Sequence, residues 1–357
     1  MTLAASGVLR YCRPGFEGET AQELIEQAAA AGLYGHVRAE RGSGWAEFVL
    51  AESHEAAGLA ARLPWREAVF AWQSLIVIAR SEPLVGDDRL TPLLARLPGD
   101  ATWCDAWVEA PDSESGRALA PFCRAFGNAL VQALKRRRCL APGAPWRLHL
   151  FFADREHCLI AAVPVAASAP WPGGIPRLKF PREAPSRSTL KLDEAFQVLL
   201  DADERERWLR PGLAAVDLGA SPGGWTWQLV RRSIRVTAVD NGPMDAALMA
   251  SGLVTHRRED GFHFQPAKPV DWLVCDMVEQ PRRVAARIAE WLAEGWCRQT
   301  IFNLKLPMKK RHAEVRLCLD LIRERVAAAS REVDLRARQL YHDREEVTVF
   351  ARAVRPA

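Results

Sequence analysis

The chain has 357 residues, is 49% hydrophobic and 26% charged, and carries a formal net charge of +4. These are the proportions of a soluble globular protein, and the length accommodates two or three domains. No apolar run is long enough to span a bilayer, and the N-terminus has no basic patch ahead of an apolar core, so a cytosolic protein is expected. The eight cysteines are scattered singly without zinc-finger spacing; they read as reduced thiols, and no metal site is expected. The mild charge does not specify a nucleic-acid partner, although arginines and lysines gather in local runs.

Residues 1–78 read as a small α/β unit. Val8–Cys12 is a strand, Thr20–Ala31 a helix with Leu24, Ile25 and Ala28 on one face, and Gly44–Leu50 alternates as a half-buried strand does. A strand over Ala68–Ala79 follows the short stretch Leu59–Leu63. Residues 79–167 read as a second α/β unit. It has a strand at Thr102–Val108, an amphipathic helix at Ser115–Arg138, and a hairpin of Leu148–Phe152 with Cys158–Val165. The helix places Leu119, Phe122, Phe126, Leu130 and Leu134 at helical spacing. It ends in Lys135-Arg136-Arg137-Arg138, which suits either a solvated helix end complementing the dipole or a phosphate-contacting patch. Residues 168–185, with Pro170, Pro172, Gly173, Gly174, Pro176, Pro181 and Pro185, break any regular pattern and read as a linker.

From Ser186 the pattern alternates between helix and strand. A helix at Leu192–Leu200 precedes strands at Val216, Val236, Val254, Val270 and Thr300. Helices at Pro281–Glu294 and Lys309–Ala329 separate the later ones, and strands at Val333–Tyr341 and Val347–Val354 are joined by a short polar turn. Successive β-α units imply a mostly parallel sheet covered by helices on both faces. Within it, Ala215-Val216-Asp217-Leu218 runs into the small-residue loop Gly219–Gly224 and a helical pattern, where backbone can approach a ligand closely. The next strand ends in Asp240, about twenty residues on, where an acidic side chain grips a nucleoside ribose.

Four charged residues stand at the ends of elements bordering one crevice: Lys191 at the start of a helix, Asp276 and Lys305 after adjacent strands, and Glu346 at the start of the last strand. Any one alone is adequately explained as a snorkelling lysine or a loop cap. Four together, beside a cofactor loop at the carboxyl edge of an α/β sheet, point to catalysis. Alternatives fit less well. A base amino-methyltransferase would carry Asn or Asp, Pro-Pro and an aromatic where Asp276-Met277-Val278-Glu279 stands. A cytosine C5 enzyme needs a nucleophilic cysteine, and Cys275 lies within an apolar strand. A nicotinamide dehydrogenase would prefer G-x-G-x-x-G.

Ser186-Arg187-Ser188-x-x-Lys191-Leu192-Asp193-Glu194, Asp217-Leu218-Gly219-Ala220-x-Pro222-Gly223-Gly224-Trp225 and the Lys191, Asp276, Lys305, Glu346 set occur in the order found in the FtsJ-like ribose 2′-O-methyltransferases, which residues 186–357 resemble. The resemblance implies a Rossmann-like class I methyltransferase sheet with a terminal antiparallel hairpin, and S-adenosylmethionine as cofactor. It implies a cofactor pocket of Ser188, Ser221, Pro222, Gly223, Gly224, Asp240, Asp260 and Asp276, and Lys305 as base with Lys191, Asp276 and Glu346 as partners. Ser221 replaces the alanine of many FtsJ-like loops. With Phe302–Lys309 and the N-terminal units, the whole chain is similar to members that modify a cytidine of 23S ribosomal RNA. That likeness implies a ferredoxin-like unit and an RNA-binding THUMP unit ahead of the catalytic domain. A lysine base needs a lowered pKa. Desolvation and Lys191 act in that direction, Asp276 and Glu346 act against it, and the sequence leaves the balance open.

Overall fold

The computed structural model describes residues 3–354. The chain divides into two compact units, Met1–Pro176 and Arg177–Ala357.

The first unit is one continuous sheet of seven strands. It contains β1 (Ala4–Cys12), α1 (Glu17–Ala30), β2 (Gly35–Ala39), β3 (Trp45–Glu55), α2 (Ala56–Arg62), β4 (Ala71–Arg80), α3 (Leu90–Ala95), β5 (Ala106–Glu109), α4 (Glu114–Ala118), α5 (Ala120–Arg136), β6 (Trp146–Phe152) and β7 (Cys158–Pro164). The strand order is β2-β3-β1-β4-β7-β6-β5, so antiparallel pairing of β4 with β7 joins the two stretches read separately from sequence. The strand β1 lies between β3 and β4 and is almost wholly buried.

Several expected elements shift, each for a local reason. Leu59–Arg62 belongs to α2, with Leu63 just beyond its end, and its first turn is capped by the Glu55 carboxylate accepting from Ala57 and Gly58 N–H. Within Thr102–Val108 only the last three residues join a strand, and Trp103 forms a lone bridge with Leu140. The Ser115–Arg138 helix is two helices parted at Leu119, with Pro121 in the first turn of the second, where a missing N–H costs nothing. The strand β2 was not anticipated; its short and mostly exposed sequence carries no alternating apolar pattern.

Residues 168–176, expected as linker, are a strap laid on the first unit. Ala169 and Ile175 are buried. The Gln73 side chain exchanges two hydrogen bonds with Ala169, donating to its carbonyl at 3.3 Å and accepting from its N–H at 3.2 Å. Gly173 N–H donates to buried Glu109 at 2.6 Å. Gly174 has φ of 73°, and a Cβ there would lie 2.1 Å from the Trp72 carbonyl oxygen, so only glycine fits.

The second unit contains α6 (Thr189–Leu199), α7 (Ala202–Trp208), β8 (Ala214–Leu218), α8 (Gly224–Val230), β9 (Arg235–Val239), α9 (Ala246–Ala250), β10 (Val254–Arg257), β11 (Val270–Cys275), α10 (Pro281–Ala293), β12 (Cys297–Lys305), α11 (Arg311–Ala328), β13 (Glu332–Arg338) and β14 (Glu346–Val354). The order β10-β9-β8-β11-β12-β14-β13 is parallel through β12, and β14 enters antiparallel between β12 and β13. Strands buried on both faces read as continuous apolar runs, as Trp272–Cys275 and Ile301–Leu304 do, save for Asn303. No described helix is long and apolar enough to cross a membrane.

This division generates the first prediction. A chain beginning at Arg177 should unfold in one cooperative transition, because its sheet is complete. One beginning at Ser168 should carry Ala169 and Ile175 stripped of their docking surface and bind more of a hydrophobic dye. Thermal unfolding and dye fluorescence of the two chains measure this; a non-cooperative melt of the shorter chain would contradict it.

Candidate active site

The carboxyl ends of β8, β9, β10, β11 and β12 share one edge of the second sheet. The register of the last antiparallel pair decides what stands there: Lys305, the final residue of β12, lies opposite Glu346, the first of β14. Asp276 directly follows β11, and Lys191 is the third residue of α6. All four sequence-chosen residues meet. Lys305 Nζ donates to Asp276 Oδ1 at 3.1 Å and to Glu346 Oε2, while Lys191 Nζ pairs with Glu346 Oε1 and lies 3.5 Å from Asp276 Oδ2. Each carboxylate thus bridges both ammonium groups. Glu346 is buried and the other three side chains are largely buried. The balance left open by the sequence is answered here. Burial acts to lower the Lys305 pKa, but the charges of Asp276 and Glu346 and the hydrogen bonds they accept leave it above its ordinary value.

The glycine loop precedes α8, and Ser221-Pro222 is a cis peptide. Gly219 and Gly223 have φ of 78° and 120°. A Cβ on Gly223 would come within 2.3 Å of the Leu248 side chain, and one on Gly224 within 2.2 Å of Ser188 Oγ. These glycines therefore answer to packing within the protein as well as to any ligand. Asp240 binds the loop from the next strand: Oδ2 accepts from Ser221 N–H at 3.1 Å and Oδ1 from Gly242 N–H at 2.7 Å. Each oxygen keeps a further lone pair for a hydroxyl. Ser221 Oγ donates to the Pro243 carbonyl at 2.8 Å, so the serine that departs from the family loop has a tie of its own. Ser188 Oγ lies 2.7 Å from Ser186 Oγ, and the Ser188 carbonyl accepts from Trp225 Nε1. Asp260 follows β10 in an exposed loop, with its carboxylate taken by Phe262 N–H and His263. Asp260, Asp240, Asp217 and Asp276 thus mark successive strand ends along one edge. That row of acceptors fits a cofactor bearing ribose hydroxyls, an amine and a cationic sulfur.

Five residues of this site were not singled out from the sequence. Asp217 is buried at the end of β8, accepts from Thr226 Oγ1 at 2.6 Å through Oδ2, and its Oδ1 has no hydrogen-bond partner among the described residues. Burial, with smaller contributions from Asp276 and Asp240, pushes its pKa up to about 7. Glu194 is buried and accepts from Tyr341 N–H, His342 N–H and His342 Nδ1, at 2.8, 2.9 and 2.6 Å, holding the 339–345 loop. Asn303, Thr348 and Asp343 form a buried polar chain behind Asp276. A lone Asn inside the apolar run Ile301–Leu304 was the visible signal for that chain, and Asp217 and Glu194 stood within the quoted motifs without a role of their own. Cys275 is fully buried, and burial pushes its thiol up to about 12, which removes it as a nucleophile.

Comparison with known proteins agrees with this geometry. Residues 5–75 match the RlmM ferredoxin-like domain, residues 88–163 the N-terminal domain of ribosomal RNA large subunit methyltransferase M, and residues 184–328 the FtsJ-like methyltransferase domain. The chain is 56% identical over 350 residues to ribosomal RNA large subunit methyltransferase M of Xanthomonas axonopodis pv. citri, covering 97% of this chain and 99% of that one. It is 54% identical over 349 residues to the namesake from Xanthomonas euvesicatoria pv. vesicatoria, with the same coverage of both chains. The chain belongs to the ribosomal RNA large subunit methyltransferase M family. Its catalytic domain is an FtsJ-like methyltransferase with S-adenosylmethionine as cofactor. Among solved structures, TrmN from Thermus thermophilus is 16% identical and aligns over 98% of this chain and 99% of its own at a TM-score of 0.37. That likeness is too slight to bear on function.

The buried Asp217 carboxyl gives a prediction for stability. In the unfolded chain an aspartate loses its proton near pH ~3.9, whereas in the fold it holds the proton to about 7. Between those values the folded state binds more protons, so stability falls as pH rises through the window. Asp217→Asn, which keeps the bond to Thr226, should flatten that decline. Urea midpoints of both proteins at about pH 4.5 and about pH 7.5 measure it; equal slopes for the two would show that Asp217 is not the group responsible.

Proposed function

We propose that the chain methylates the ribose 2′-oxygen of a cytidine in 23S ribosomal RNA, with Lys305 as the base. The observation that carries this reading is the bridging of Lys191 and Lys305 by both Asp276 and Glu346, at the sheet edge that also bears the glycine loop. Support for the RNA comes from the names of the Xanthomonas relatives, and for the 2′-oxygen from the FtsJ-like set of four charges. The alternative of an inactive ribosome-assembly factor does not explain why all four charged residues are retained and paired.

A 2′-hydroxyl is a weak nucleophile that must be aimed and must lose its proton. S-adenosylmethionine, when bound, supplies the methyl group on a cationic sulfur. Asp240 would hold the cofactor ribose, Asp260 the adenine end and Asp276 the methionyl end, with Ser188, Ser221, Pro222, Gly223 and Gly224 shaping the pocket. Asp276 and Glu346 orient Lys305, and Lys191 offsets the charge of Glu346. At rest Lys305 is an ammonium ion, since its pKa is raised. It takes up the hydroxyl proton only after giving up its own, so transfer should quicken as pH rises through the alkaline range.

Selection of the RNA site would fall to the first unit, with residues 1–78 as its ferredoxin-like part and 79–167 as its THUMP-like, RNA-binding part, in the cytoplasm. Lys135, Arg136, Arg137 and Arg138 are all exposed at the end of α5. Arg137 differs from the others by donating to the Leu94 carbonyl at 3.0 Å, which ties α5 to α3. Arg138 sits at φ of 56° just beyond the helix.

Two outcomes test the proposal. Lys305→Ala should still bind S-adenosylmethionine and lose roughly 10²–10⁴-fold in transfer to 23S transcripts; near-normal turnover would remove Lys305 as base, and mapping of 2′-O-methyl sites identifies the nucleotide. Replacing Lys135, Arg136 and Arg138 by glutamine, with Arg137 retained for the fold, should weaken RNA binding and flatten its salt dependence. An unchanged salt slope would place the RNA contacts elsewhere.

A further inference from the structure

Behind the four charged residues runs a chain of buried polar groups whose protons can be assigned. Lys305 Nζ has only donors, so the Asp276 Oδ1 that meets it at 3.1 Å is an acceptor. The same oxygen lies 2.9 Å from the Asn303 side chain, which must therefore turn its amide N–H toward Asp276 and its Oδ1 away. Asn303 Oδ1 lies 2.7 Å from Thr348 Oγ1. An amide oxygen cannot donate, so the single hydroxyl proton of Thr348 is committed to Asn303. Thr348 Oγ1 is also 3.1 and 3.0 Å from the two carboxyl oxygens of Asp343. With its own proton spent, Thr348 can only accept there, and Asp343 must donate. Its Oδ2 also accepts from Leu340 N–H at 2.9 Å.

We propose that Asp343 is held as a neutral carboxylic acid and, through Thr348 and Asn303, is a positioning residue that aims Asp276 at Lys305. This deepens the methyl-transfer reading and rests on it. Asp343, Thr348 and Asn303 are fully buried, so bulk solvent does not reach the chain. The surroundings of Asp343 favour the neutral form: burial first, then Glu346 and Glu194 as like charges, opposed by the Leu340 N–H and by Lys191, leave its pKa well above the carboxylate range. The register explains the geometry. Thr348 lies opposite Asn303 in the pairing of β14 with β12, two positions inward from Glu346 opposite Lys305. Both pairs therefore point to one face of the sheet.

The test uses the full-length protein and three variants. Asp343→Asn keeps a donor for Thr348 and an acceptor for Leu340 N–H, Asp343→Ala removes both, and Thr348→Val breaks the chain at equal volume. If Asp343 is a neutral acid, the infrared spectrum at neutral pH contains a protonated-carboxyl carbonyl component that moves on ¹³C-aspartate labelling, persists in Asp217→Asn and is lost from Asp343→Asn. The Asn303 side-chain amide resonances should be slow to exchange in the wild type and in Asp343→Asn, and should lose that protection in the other two. Transfer should stay within about threefold of wild type in Asp343→Asn. It should fall roughly 10- to 100-fold in kcat, with little change in the KM for S-adenosylmethionine, in Asp343→Ala and Thr348→Val. In those two the alkaline limb of the pH–rate profile should move to lower pH, because a misaimed Asp276 holds the Lys305 proton less firmly. The proposal is overturned if the carboxyl band is missing, or if a folded Asp343→Asn is as impaired as Asp343→Ala. Full activity of both Asp343→Ala and Thr348→Val would overturn it as well. A wild-type protein that shows the band and the protected amide but transfers no methyl to ribosomal RNA would refute the methyl-transfer reading instead.

Discussion

The structure of the catalytic unit depends on one antiparallel pairing, β14 against β12. Shifting it by one residue would turn Glu346 and Thr348 to the opposite face and leave Asn303 opposite a valine, Val347 or Val349. The pairing does two things at once. It closes the parallel sheet with a strand of opposite sense, and it brings an acidic strand start to the edge where the parallel strands end. Four charges taken from water need mutual compensation, and here each carboxylate answers two lysines and each lysine answers two carboxylates.

That arrangement sets a tension between resting and working states. The same carboxylates that fix Lys305 in place also strengthen its hold on its proton. A site built for stability alone could stop there. The proposed removal of a hydroxyl proton by Lys305 would need that hold relaxed during turnover, and the closeness of Lys191 supplies a standing opposing charge. Glu194 contributes from a distance by pinning the Tyr341–His342 backbone, so the segment leading into Glu346 enters the sheet from a fixed point.

Much of this was legible in the sequence. The β-α alternation, the glycine loop, Asp240 and the four charged residues stood out because each is a local pattern: a period, a spacing or a strand end. The residues that escaped notice act through tertiary contacts. Asp343 looks like any aspartate in a polar turn, and only the fold buries it. Thr348 is indistinguishable from a strand threonine on an exposed face. The segment expected as linker does contain the division between the two units, but its first half is packed: prolines and glycines mark the absence of regular structure, and Gly174 against Trp72 shows that irregular backbone can still be packed. The long α5 region was read as one helix because apolar spacing continues across Leu119, where Pro121 restarts the hydrogen-bond ladder.

The position of β14 in the sheet also bears on how the unit assembles. Synthesis produces β13 before β14, yet in the finished sheet β13 touches only β14 and lies at the edge. The strand β13 is joined to β12 only through β14, so its place in the sheet depends on the final strand. The β12–β14 pairing joins segments separated by the whole of α11 and β13, a non-local contact of the kind that slows folding. Because the inserted strand carries Glu346 and Thr348, the lysine pair has Asp276 as its one bridging carboxylate until that strand docks. The four-charge cluster is complete only when that last strand is in place.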